Sequence, residues 1–188
     1  FKSKKIKYFL RKNQKGRGSA VLYGLKKSLK NTSSKIFIEM DADFSHDPKE
    51  LKSKILFFRK RNLDLLISSR YLKKSKIINW SLQRLLFSKL SNLLAGALLK
   101  VGVTDYTNGF RVYSRRSTKL ITNKCGKIGD GFIVLSEILL MIKLNNFKIL
   151  ELPTIFVNRK RGQSSVNFKL IIQSLVGLIK LYFIKINN

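Results

Sequence analysis

Two carboxylates one residue apart, Asp41 and Asp43, follow directly on the apolar run Ile36 to Met40. Alternate side chains of an extended backbone point the same way, so the pair offers two hard oxygen donors on one side. That donor set suits Mg²⁺ or Mn²⁺, with phosphate oxygens completing the octahedron. The background makes the pair stand out. The chain has 10 Asp and Glu against 39 Lys and Arg, a formal charge of +29, and five of the ten acidic residues (Glu39, Asp41, Asp43, Asp47, Glu50) fall between positions 39 and 50. The plainer reading makes Asp43, Ser45 and Asp47 turn and capping residues. A second set of candidates is polar and basic. Arg70 leaves the apolar stretch 64–69, and Arg84, Ser88 and Asn92 recur at the four-residue spacing of one helix face. Arginine binds phosphate in a bidentate manner; the alternative for Arg84 is a solvated face.

For these residues to converge, strands must end at the acidic pair and at Arg70. Gly16-Arg17-Gly18 opens a helical stretch, Ser19 to Leu29, and Ile36 to Met40 reads as a buried strand ending at Asp41. Asp47 at the N-cap, Pro48 at the first helical position and Glu50 three residues after the cap predict a capping box for a helix reaching Arg61. Asp64 to Ser69 predicts a strand, Trp80 to Lys100 a long helix, and Phe110 to Tyr113 a strand. Phe132 to Leu144 predicts a helix, Lys148 to Phe156 an extended segment, Asn158 to Asn167 a polar basic loop, and Phe168 to Ile186 a helix. This alternation predicts an α/β domain with a largely parallel sheet. The carboxyl edge of such a sheet is where ligands bind.

With 188 residues, 44% of them hydrophobic, the chain supports one ordinary globular core. A single cysteine, Cys125, excludes an intrachain disulfide framework, and no window reaches the roughly 18 uninterrupted apolar residues of a membrane span. The positive charge reads either as lysine filling solvated faces or as attraction to an anionic partner. Aromatic residues lie inside apolar runs and are not interleaved with Lys and Arg as a stacking platform requires, so a nucleic-acid partner is not expected.

Two enzyme classes place an acidic pair after a strand. Haloacid-dehalogenase-type phosphatases share Asp41-Ala42-Asp43 and Gly129-Asp130, but they want a further carboxylate where Ile133, Val134 and Leu135 stand. The other class is the nucleotide-sugar glycosyltransferases. Met40-Asp41-Ala42-Asp43-Phe44-Ser45-His46-Asp47-Pro48 resembles the signature of dolichol-phosphate (polyprenyl-phosphate) mannosyltransferases, inverting GT-A glycosyltransferases. Lys15-Gly16-Arg17-Gly18-Ser19-Ala20 with Gly24, Ser69-Arg70-Tyr71, and Trp80 with Arg84, Ser88 and Asn92 are similar to further family elements. So is Asp105-Tyr106-Thr107-Asn108-Gly109-Phe110-Arg111, with Asn108 in place of the usual serine. Gly131-Phe132 with Glu137, Glu151-Leu152-Pro153, and Phe156 to Arg159 through Gly162 and Ser164-Ser165 complete an ordered match.

The resemblance implies a GT-A (nucleotide-diphospho-sugar transferase, Rossmann-like) sandwich over residues 1–167 and an amphipathic, membrane-interfacial helix over 168–188. It implies metal-dependent, inverting transfer of mannose from GDP-mannose to a dolichyl or polyprenyl phosphate at the cytoplasmic membrane face. A related transferase using UDP-glucose or another nucleotide sugar is one alternative, and a basic nucleic-acid- or membrane-binding module is the non-enzyme one. Asp41 and Asp43 would hold Mg²⁺ or Mn²⁺ with help from the Ser45 hydroxyl. Arg70, Arg84 and Ser88 would bind the acceptor phosphate; Asp41, Ala42, Asp105, Glu137 and Arg159 would bind the donor and its sugar. Asp43, Arg84 and Arg159 carry the catalytic roles in this reading. Asp105 and Glu137 are equally readable as caps or lysine partners, Arg159-Lys160-Arg161 as a plain basic loop, and His46 as a local structural residue. The family opens with an apolar strand ending in Pro-x-Tyr-Asn-Glu and a further acidic strand end. Neither occurs here, so the expectation is an N-terminally truncated member without its first strands and the base-binding half of the donor site.

Overall fold

The computed structural model describes residues 6–11, 16–129, 131–158 and 168–187. In chain order the elements are α1 (Arg17–Ser28), β1 (Ile36–Glu39), α2 (Glu50–Lys60), β2 (Leu65–Ser69), β3 (Lys76–Ile78), α3 (Leu82–Leu99), β4 (Arg111–Ser114), α4 (Arg115–Lys124), α5 (Ile133–Leu144), β5 (Ile149–Pro153), β6 (Ile155–Val157) and α6 (Phe168–Ile186).

The main sheet has the order β1-β4-β2-β5. β2 is buried along its whole length, as expected of an apolar strand covered on both faces. Its side chains alternate. Leu65 and Ile67 join the larger core with α1, α4 and α5, while Leu66 packs with Val112, Phe58 and Leu63 against α2. β2 and β5 are parallel, whereas β4 runs antiparallel to both β1 and β2. The sheet is therefore mixed: three strands share one direction and β4 is reversed among them. The reason lies in the connection. Arg111 pairs with Glu39, so β4 enters the sheet at the edge where β1 ends, and the loop before it lies along that same edge.

Three local expectations change. The segment Lys148 to Phe156 divides at Thr154, which bonds Ser69 through its N–H (3.2 Å) and Lys76 through its carbonyl (3.1 Å). There the chain leaves the main sheet, and β6 pairs in parallel with β3 in a second, two-stranded sheet. The Asp47–Glu50 capping box does not form. Asp47 Oδ1 accepts from the Lys49 N–H at 2.9 Å, while Glu50 turns to Thr154 Oγ1 (2.7 Å) and the Ile155 N–H (3.1 Å). α4 is additional, started by Ser114, whose Oγ accepts from the Ser117 N–H. The C-terminal helix forms as expected. Leu178 and Leu181 of α6 are buried in the larger core, and Lys185 Nζ donates to the Leu98 carbonyl at 2.8 Å, satisfying one open C-terminal acceptor of α3.

Candidate active site

A cavity of about 1010 Å³ opens at the carboxyl edge of β1 and β2, and Asp41, Asp43, Ser45, Arg70, Arg84 and Ser88 all line it. Residues that are up to 47 positions apart in sequence thus share one space, as the spacing argument requires. Past β1 the chain turns sharply. Asp43 Oδ1 accepts from the Ser45 N–H (3.1 Å) and hydroxyl (2.5 Å), and Phe44 takes a left-handed conformation at φ 63°.

His46 fixes this turn from below. It is 1% exposed; its Nδ1 accepts from the Asp41 N–H at 3.3 Å, and its Nε2 faces Asn108 Oδ1 at 3.0 Å. An accepting Nδ1 requires the neutral tautomer with the proton on Nε2. Burial pushes the imidazole below its ordinary value, against the pull of Asp41, which keeps the ring in that form. Both ring nitrogens are occupied by the fold, and neither is turned to a ligand.

Arg70 borders the cavity floor, and Asp105 pairs with it from beneath. Nε and Nη2 of Arg70 meet the two oxygens of Asp105 at 2.8 and 2.7 Å, and Nη2 also donates to Thr107 Oγ1. Asp105 further accepts from the N–H groups of Arg70, Thr107 and Asn108. Asp105 is fully buried and does not line the cavity, which corrects its expected place as a sugar contact: its acceptors are spent on the ion pair and the loop. Arg70 does border the cavity, with most of its donors committed.

Glu137 is corrected likewise. It is buried on α5, and its carboxylate accepts from the N–H groups of Gly126 (2.8 Å) and Lys127 (3.4 Å). Burial raises its pKa, opposed by those hydrogen bonds. It holds the turn after α4 and does not line the cavity.

The other wall belongs to α3. Ser81 caps this helix, and Arg84 and Ser88 follow on one face. Arg84 Nη1 donates to Asn158 Oδ1 at 2.8 Å, and its guanidinium stacks over Trp80 with 4.1 Å to the ring centroid. Ser88 Oγ accepts from the Tyr71 hydroxyl at 2.6 Å, and Ser88 lines the cavity. Asn92 turns inward to the Tyr106 N–H and is structural. Arg159, with Lys160, Arg161 and Asp130, lies outside the described residues.

One cation of the site gives no chemical signal in the sequence. Arg17, in the glycine-rich helix start, reaches two carboxylates at the end of β1: its Nη2 stands 3.0 Å from Asp41 Oδ1 and 2.9 Å from Glu39 Oε1. Among the described residues no group of three His, Cys, Asp or Glu is placed to hold a metal. A metal here would rest on Asp41 and Asp43 with the Ser45 hydroxyl, and a bound phosphate would supply the remaining oxygens. The donor set fits: it is all oxygen, it faces the cavity, and Asp41 Oδ2 has no hydrogen-bond partner among the described residues.

A strand ending in paired carboxylates, a reversed strand beside it and a cavity at the sheet edge define the GT-A fold. Residues 1–121 match the family described as glycosyl transferase family 2, and the chain belongs to that family. It is 34% identical over 157 residues to a polyprenol monophosphomannose synthase of Mycolicibacterium smegmatis, covering 84% of this chain and 58% of that protein. It is 34% identical over 178 residues to a dolichol-phosphate mannosyltransferase of Pyrococcus furiosus, covering 94% of this chain and 47% of that protein. The chain therefore spans about half the length of the curated relatives it matches.

Proposed function

We propose that this chain carries the catalytic site of a metal-dependent, inverting transferase that moves mannose from GDP-mannose to a dolichyl or polyprenyl phosphate. The observation that carries the reading is the shared cavity: an acidic pair suited to a metal diphosphate faces Arg84 and Ser88, suited to a phosphate monoester. Asp41 and Asp43 would hold Mg²⁺ or Mn²⁺, which supplies charge neutralisation to the departing diphosphate. The acceptor oxygen is already anionic at neutral pH, so no carboxylate base is needed. Arg84 and Ser88 bind and aim it, with Arg70 behind them on a floor locked by Asp105. The protein's work is to hold two anions in line at close range.

The same wall suits a lipid acceptor. Leu82, Leu86, Leu90 and Leu93 of α3 are 57–70% exposed, and Ile172, Leu175, Ile179 and Phe183 of α6 are about half exposed. Together they form an apolar face continuous with the cavity, whose lining includes Leu90, Leu94, Leu175 and Leu178. An exposed apolar patch of this kind on a strongly basic chain fits an interfacial position on an anionic membrane. No helix of the described residues is long and apolar enough to cross a membrane. The test uses the full-length gene product, polyprenyl phosphate and radiolabelled GDP-mannose, with UDP-glucose as competitor. Mannosyl transfer that needs added Mg²⁺ or Mn²⁺ and resists UDP-glucose is expected; transfer from UDP-glucose in preference would replace the donor assignment.

A further inference from the structure

Arg17 occupies an unusual position in the site. It is the first residue of α1, and it lines two cavities at once: the large one and a second of about 410 Å³ between α1 and β1, with Asp41 and Ala42 common to both. Nη2 is anchored on Glu39 and Asp41. Nη1 is buried and has no hydrogen-bond partner among the described residues. The position is built into the fold from the far side as well. A Cβ on Gly109 would stand 1.6 Å from Nη2, so the absence of a side chain there is what admits the guanidinium, and the Phe132 ring backs it at 5.8 Å.

A buried donor on a charged group is costly to leave unpaired, and Nη1 belongs to the guanidinium whose Nη2 is held on Asp41. The charge arithmetic points the same way. Glu39, Asp41 and Asp43 carry three formal negative charges at this end of β1, Asp41 and Asp43 on the large cavity and Glu39 on the second. A divalent ion alone would leave one of them facing an incoming diphosphate; Arg17 cancels it.

We propose that Arg17 is a ligand of the donor diphosphate, its Nη1 donating to a phosphoryl oxygen while Nη2 stays on Glu39 and Asp41. The proposal rests on the reading of the cavity as a nucleotide-sugar site. It adds a contact from the start of α1 to those made by the acidic loop and α3.

The experiment is calorimetric titration of the full-length gene product with GDP in the presence of Mn²⁺, with UDP and Mn²⁺, and with Mn²⁺ alone. The proteins are wild type, Arg17→Leu, Arg17→Lys and Gly109→Ala. Gly109→Ala guards against misfolding, because the three atoms nearest its methyl all belong to the Arg17 guanidinium, which it displaces without removing a charge from the chain. Loss of a charge-assisted hydrogen bond weakens GDP·Mn²⁺ binding on the order of 10- to 100-fold in Arg17→Leu and Gly109→Ala, and less in Arg17→Lys. Mn²⁺ alone should bind no more weakly, since Asp41 is released from its ion pair. GDP·Mn²⁺ affinity unchanged in folded Arg17→Leu and Gly109→Ala would overturn the proposal and leave Arg17 as a counter-ion only. Wild-type protein that binds neither GDP nor UDP would overturn the nucleotide-sugar reading itself, and this proposal with it.

Discussion

Replacing Asp105 by Asn separates an internal hub from a substrate contact. The carboxylate is fully buried and accepts from Arg70 Nε at 2.8 Å, Arg70 Nη2 at 2.7 Å and the N–H groups of Arg70, Thr107 and Asn108 at 3.0 to 3.2 Å. Asparagine keeps the shape but turns an amide NH₂ towards donors and leaves the Arg70 guanidinium buried without its counter-charge. Breaking a buried pair from one side costs about 3–5 kcal/mol. In a chain of this size that lowers the melting temperature by about 6–20 °C. Thermal and urea unfolding followed by circular dichroism would read the loss. A second signature is its pH dependence. Burial pushes the Asp105 carboxyl up, but the charge and hydrogen bonds of Arg70 outweigh it and hold the group below its ordinary value. With the folded value below the unfolded one, the pair's stability is fully present above the ordinary carboxylate range and is lost as pH falls through the folded value. Asp105→Asn should therefore flatten the acid side of the stability profile. A stability change under about 0.5 kcal/mol, the size of an uncoupled surface substitution, together with abolished transfer would refute the hub and return Asp105 to the sugar.

Three further outcomes are expected. Asp43→Asn should abolish metal-dependent transfer while leaving unfolding near wild type, because the amide oxygen can still accept from Ser45; transfer at an unchanged rate would remove Asp43 from the metal. His46→Phe keeps an aromatic ring between Phe110 and Phe156 but loses the bonds to Asp41 and Asn108, costing about 1–3 kcal/mol and weakening Mn²⁺ binding through the loosened acidic turn. Since burial lowers the folded His46 pKa, its contribution is lost as pH falls below the ordinary histidine range; the His46→Phe protein should lack that step when unfolded at about pH 7.5 and pH 5. Leu90→Glu with Leu93→Glu on α3, at positions 64% and 70% exposed, should leave stability within about 0.5 kcal/mol. The same pair should cut co-sedimentation with anionic vesicles several-fold, and unchanged sedimentation would separate this face from the membrane.

The acidic pair is legible in the sequence because an apolar strand that stops in charge can only stop at a sheet edge. Arg84 and Ser88 are legible because a helix face repeats every four residues, and both signals are local. What is not legible is which charged groups consume one another across the chain. Asp105 looks as available as Asp41 until β4 brings its loop over Arg70, 35 residues earlier; the ion pair then takes Asp105 out of the ligand's reach. Glu50 has the correct offset from Asp47 for a capping box. The chain crossing at Thr154, 104 residues on, offers it a hydroxyl and an N–H that would otherwise lack a buried acceptor, and the distant partners win. Arg17 reads locally as a cation inside a helix start, where it marks no chemistry. Its place follows only from the register of β1 with β4: Glu39 lies opposite Arg111, which brings Gly109, two residues before, to the strand end that carries Asp41. The missing side chain at Gly109 and the cation at Arg17 are one feature written at two places 92 residues apart, and sheet pairing is what joins them.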